Sequence, residues 1–278
     1  MKRQITIGIL FSIIIGLTPA YVLAFSQATH LYIADHVYQD VSGPLASPPS
    51  QFKPDLYYGS IGPDIDFFVR RPEKWPTAFG DTHHNFVDLR LFASTPSQMA
   101  FADGWLTHNE RDSWGADHYA HIDPAYVINK AEQLTGIPLD FAHLAIEVAV
   151  DVLIKNNEDS QLGEKLLSAL QHHSAQDRTL LIQVLVSTEK KTDRLTLILA
   201  ELNFRQIMLQ YARALSLPDP DNKEAIAKWG SMLAKRLYQL NVPPDMLLKV
   251  LNDAVDLVKD DYKVTIDTVI EGIKTNLK

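Results

Sequence analysis

Apolar residues recur at three- and four-residue steps along most of the chain and nowhere settle into a period of two, so the pattern predicts helices throughout. Residues 28–40 read as a helix through Leu31, Ile33, Ala34 and Val37, with Thr29 able to cap it. Residues 41–58 read as a loop, because Pro44, Pro48, Pro49 and Pro54 interrupt any helical period. Gly62-Pro63-Asp64 cannot lie in mid-helix, since proline removes a backbone donor and clashes with the preceding turn. Thr95-Pro96 opens a strong helix, a cap followed by proline at the first helical position, and Met99, Phe101, Trp105 and Leu106 carry it to about Asp112. Gly136-Ile137-Pro138 precedes the next helix, read over residues 140–155.

After a polar break at residues 156–160 the chain reads as helix after helix, punctuated at residues 172–174, 216–220 and 241–244. Leu195, Ile198, Leu202 and Leu209 follow an amphipathic spacing there. There is no internal repeat and no low-complexity tract. The expected fold class is all-α.

The first 24 residues differ from the rest. Lys2 and Arg3 precede an apolar run from Ile5 to Leu17, which is short against the roughly 20 residues of a membrane span. Pro19 ends the run, and Val22-Leu23-Ala24 suits a cleavage site, so the expectation is an export signal over residues 1–24 and a periplasmic or secreted mature protein. Two further regions are expected: residues 25–155, and a C-terminal helical region, 156–278, packed on the first or continuing it. Uncleaved, the segment would be a membrane anchor.

With 278 residues and 46% hydrophobic content, the chain can bury a full core without disulfides. Its formal net charge is −8, and no basic stripe of the kind that follows duplex DNA is present. Because the chain has no cysteine, any zinc site must use imidazole and carboxylate. Those groups are concentrated: eight of the ten histidines fall between His30 and His143. His108 and Asp112, and again His143 and Glu147, stand four residues apart, a spacing that puts each pair on one helix face. A single such pair is more often a solvated contact worth a few tenths of a kcal/mol. Glu147, however, lies in the nearly all-apolar run Phe141 to Val150, where an ionised carboxylate is costly unless paired or metal-bound.

The order of these motifs resembles the zinc-dependent phospholipase C family, whose relatives include glycosylphosphatidylinositol-specific phospholipase D and, more distantly, fungal single-strand nucleases. The resemblance runs from about Phe25 to Asp151. It rests on Phe25-Ser-Gln-Ala-Thr-His30, Gly62-Pro-Asp64, Asp81-Thr-His83-His-Asn-Phe, Ala100 through His108 to Asp112, His118, and His143-x-x-x-Glu147. It implies a multi-helix bundle around a cleft holding about three zinc ions. Asp64, His83, His108 and Asp112 would hold one, and His118, His143 and Glu147 a second. The third would take His30, the other oxygen of Asp112, and the free α-amino group and carbonyl of Phe25, the first residue left by signal cleavage. His84 is an alternative to His83, and His121 to His118.

The resemblance thus implies hydrolysis of a phosphate ester, most readily a phospholipid diester, with Asp64 as candidate general base. A membrane surface is a further candidate partner. A nuclease or nucleotidase is the alternative enzyme, although those relatives tend to carry Asp where this chain has Glu147. A non-catalytic exported zinc protein is the alternative from another class. The remaining residues take plainer readings: His36 as a surface or core histidine, His172-His173 as a loop pair, Trp75, Trp105 and Trp114 as core, and Asp66 and Asp88 as supporting or solvated carboxylates.

Overall fold

A computed structural model describes residues 26–39, 48–69, 74, 82, 89–108, 124–135, 137–172, 174–187, 193–238 and 240–277. Among the described residues the regular structure is entirely helical, in agreement with the expected class. The α-helices are α1 (Gln27–Gln39), α2 (Lys53–Ile61), α3 (Pro96–His108), α4 (Pro124–Ala131), α5 (Leu139–Asn157), α6 (Leu162–His172), α7 (Ala175–Ser187), α8 (Arg194–Ser216), α9 (Asp221–Tyr238), α10 (Pro244–Val258) and α11 (Tyr262–Leu277). A 3-10 segment, Gly62–Phe68, continues directly from α2 and carries Asp64.

Helix α1 is the axis of the arrangement. Nearly all of it is buried, including Leu31, Ile33, Ala34, Val37 and Tyr38 and, with them, the polar Thr29, His30 and Asp35. It packs against α2, α3, α5, α6 and α11, so helices from both halves of the sequence close around it. One continuous apolar core draws on every α-helix named above.

Two sequence expectations need correction. Residues 53–58 are not loop but the start of α2, with Leu56, Tyr57 and Tyr58 in the core. Pro54 lies in the helix's first turn, where proline costs no hydrogen bond, so it marks a beginning rather than a break. In α8 the spacing of Leu195 and Leu202 picks out the outer face, where both stand in solvent. The buried stripe is instead Leu197, Ala200, Glu201, Phe204, Ile207, Met208 and Tyr211. The helix is apolar on both faces, and a carboxylate sits on the inner one, held by Arg178 Nε at 2.6 Å.

Helices α2 and α3 cross at unusually close range. A Cβ on Gly104 would stand 1.9 Å from the Leu56 carbonyl oxygen, and one on Gly59 would stand 2.0 Å from that of Phe101. Only glycine permits this approach of two backbones. The crossing sets Ser60, at the end of α2, beside His108, at the end of α3.

The N-terminal turn of α7 carries a different device. Ser174 and Asp177 cap the helix reciprocally, the Asp177 amide donating to Ser174 Oγ at 3.0 Å and the Ser174 amide to Asp177 Oδ2 at 3.3 Å. Ser97 Oγ stands 3.0 Å from an Asp55 oxygen and 3.2 Å from an Asp177 oxygen, so its one proton serves either and the two carboxyl groups are held close together. Burial, with the Asp55 carboxylate beside it, pushes Asp177 up to about 7. The folded state therefore binds a proton that the unfolded chain releases near pH 4. This contribution is complete below about pH 4 and is lost as pH rises through 7.

Two predictions follow from these contacts. Gly104→Ala gains about 1 kcal/mol of helix propensity but drives a methyl group into backbone, so it should destabilise the protein by roughly 2 kcal/mol or more in urea unfolding. A neutral or stabilising result would mean that the crossing is not tight. Asp177→Asn removes the titrating group, so the melting temperature of the variant should gain on that of the parent between pH 5 and pH 8; a constant difference would contradict the shared-proton account.

Candidate metal centre

Asp151, near the C-terminal end of α5, lies fully buried at the N-terminus of α1. Its carboxylate accepts hydrogen bonds from Ser26 Oγ at 2.5 Å, the Thr29 amide at 2.8 Å, Thr29 Oγ1 at 2.6 Å and Tyr211 OH at 2.6 Å. A side chain from another helix thus caps α1, and its negative charge faces the positive end of the helix dipole. Thr29 is not the cap expected from sequence; it lies in the first turn and donates to Asp151. Burial pushes Asp151 above the ordinary carboxylate range, and these four bonds pull it back. They also fix the next residue, His30.

His30, Asp64 and His108 come together in the interior, exposed by 1%, 3% and 1%. Each offers one ligand atom, these atoms lie within 4.8 Å of one another, and the group can hold a metal ion. His108 Nδ1 is 2.7 Å from the Ser60 carbonyl oxygen. A carbonyl only accepts, so Nδ1 carries the proton and donates it, and Nε2 turns toward Asp64 Oδ1, 3.5 Å away. A backbone carbonyl that holds one imidazole nitrogen fixes the tautomer and the ring orientation, as the groups behind metal-binding histidines do. The His30 ring stacks on His108, with centroids 3.8 Å apart and planes 25° apart. Gln27 Nε2 donates to the other Asp64 oxygen, Oδ2, at 2.9 Å.

A second pair lies on α5. His143 Nε2 and Glu147 Oε1 are 2.9 Å apart, and both residues are buried. Donors about 2.0–2.2 Å from a tetrahedral zinc lie roughly 3.3–3.6 Å apart, and the separations at His108–Asp64 and His143–Glu147 fall on either side of the lower bound.

The electrostatics favour a cation. Burial raises the Asp64 and Glu147 carboxyl groups above their ordinary values. The adjacent histidines oppose this, while the charges of Asp64 and Asp151 push Glu147 further up. Glu147 therefore shares a buried interior with two other acids whose charges disfavour its ionisation. A divalent ion reverses that logic, because it makes the carboxylate the preferred form of every group around it.

Of the residues singled out from sequence, the structure thus joins His30, Asp64 and His108 and sets His143 beside Glu147. Phe25, His83, Asp112 and His118, with the alternatives His84 and His121, lie outside the described residues. The resemblance divides His30 from Asp64 and His108, assigning them to two ions that share Asp112; here the three form one group. Sequence reasoning missed Asp151, Tyr211, Gln27 and the Ser60 carbonyl. Asp151 left a signal, since it continues the four-residue stripe of His143 and Glu147 along an apolar helix. The others left none. No protein-family model, no characterised protein and no solved structure matches the chain.

Replacing Asp151 with alanine strands three buried hydroxyl groups and one amide, so it should cost about 3 kcal/mol or more of stability. Urea unfolding measures this, and a loss below about 0.5 kcal/mol would mean that the cap does not hold α1.

Proposed function

We propose that this chain is an exported zinc-dependent phosphoric ester hydrolase that cleaves phospholipids in the manner of phospholipase C. The observation that carries the reading is the buried His30, Asp64 and His108 group, an imidazole and carboxylate set in a protein with no thiolate to offer. These residues would hold zinc, with His143 and Glu147 beside them. The resemblance adds Phe25, His83, Asp112 and His118, and brings the number of ions to about three.

When bound, zinc polarises phosphoryl oxygens and makes hydroxide available near neutral pH. The protein's own contribution is placement. The Ser60 carbonyl fixes which nitrogen of His108 faces Asp64, and Asp151 fixes the turn that carries His30. Asp64, a carboxylate at the edge of the cluster, is the candidate to orient the attacking water and accept its proton. The preference for lipid over nucleic acid rests on Glu147 and on the chain's net charge of −8 without a basic track. No helix among the described residues is long and apolar enough to cross a membrane.

A second reading, an exported protein that keeps zinc as a structural staple, is favoured by the depth at which the three ligands are buried. Closed shells serve structure, and open ones serve catalysis.

Protein purified without chelators and beginning at Phe25 should contain about three zinc ions by elemental analysis and release phosphorylated head group from phosphatidylcholine. Absence of zinc would sink the proposal, and zinc without any phosphodiesterase activity would favour the staple. Strong single-strand nuclease activity with no lipid cleavage would make the protein a nuclease. Protein carrying a few extra residues before Phe25 should lose zinc and activity, because an amide nitrogen in place of the free amine cannot donate its lone pair. Equal zinc and equal turnover in both forms would exclude the amino-terminal ligand.

A further inference from the structure

We infer that Gln27 is the positioning residue for Asp64: its side-chain amide sets the rotation of the carboxylate and so decides which oxygen is offered to the metal. The inference rests on the zinc-binding reading above. An aspartate carboxylate turns about a broad, soft torsion, so nothing internal to Asp64 selects one oxygen. The selection comes from α1. Gln27 Nε2 donates to Oδ2 at 2.9 Å, while Oδ1 faces His108 Nε2 at 3.5 Å. The amide orientation is fixed by chemistry, because the flipped form would bring an amide oxygen against a carboxylate oxygen.

Gln27 can do this because its own backbone is held. It lies between Ser26 and Thr29, both bonded to Asp151, in the first turn of α1. One rigid turn therefore supplies the ligand His30 and, three residues earlier, the group that aims the ligand Asp64. Gln27 is only half-buried and its amide is neutral, so it orients the carboxylate without adding charge to the site.

The test uses the mature protein and two variants, Gln27→Ala and Gln27→Met. Methionine keeps the length and bulk of glutamine and lacks the donor, which separates lost donation from lost packing. Each protein is titrated with cobalt(II), followed by its visible absorption, and with zinc(II) in competition. Circular dichroism and cooperative unfolding report whether the fold is retained. Both variants should fold, bind zinc about 10- to 100-fold more weakly than the parent, as is usual when a group supporting a ligand is lost, and show altered cobalt bands. A purely structural role would leave the cobalt bands of the methionine variant unchanged. If the parent binds metal and both variants match it in affinity and spectrum, the role of Gln27 is wrong and the metal centre stands. If the parent takes up neither cobalt nor zinc, both fall together.

Discussion

A single carboxylate, Asp151, determines where the first turn of α1 lies, and the remainder of the candidate centre follows from that turn. The group sits in the dry interior, where an isolated charge would be prohibitive, and it is tolerated because four donors converge on it. Three of those donors belong to Ser26 and Thr29 and the fourth to Tyr211 of α8, so three helices meet at one point. The arrangement couples the N-terminal segment to the C-terminal half of the chain. It also explains why His30 and Gln27 can act together on Asp64 and His108, which arrive from α2, its 3-10 extension and α3.

The second constraint is the accumulation of acids in that interior. Asp64, Glu147 and Asp151 are each pushed upward by burial, and the charges of Asp64 and Asp151 add to the burden on Glu147. Asp151 is compensated by hydrogen bonds alone. Asp64 and Glu147 have histidines as neighbours, which oppose the upward shift only in part. A divalent cation would relieve that burden, and His108 Nε2 is turned toward Asp64 Oδ1, 3.5 Å away. In the same way, the glycine crossing of α2 and α3 contributes to chemistry only indirectly, by bringing the Ser60 carbonyl to His108.

Much of this was legible in the sequence, and the failures have physical causes. The all-α class followed from periodicity alone. The start of α3 followed from Thr95-Pro96: the Gln98 amide donates to Thr95 Oγ1 at 3.2 Å. His30, Asp64 and His108 could be named because zinc chemistry restricts the residue types. Which of them share a neighbourhood could not be read from spacing, because they lie on three different elements joined only in space. Proline misled at residue 54, since the same residue that breaks a helix interior is welcome in its first turn. The stripe on α8 misled because both faces are apolar, and burial there was decided by a paired glutamate that a hydrophobicity pattern reads as outward. Gln27 was invisible, as a lone glutamine carries no signal until the carboxylate it serves is placed beside it.

The central claim is that a metal ion binds among His30, Asp64 and His108. The most direct measurement is anomalous X-ray diffraction from crystals of the mature protein, recorded on both sides of the zinc absorption edge. The account predicts an anomalous peak within coordination distance of His108 Nε2 and Asp64 Oδ1, present above the edge and lost below it. A zinc-replete crystal with no peak at that position, or with zinc only at surface histidines, would contradict it.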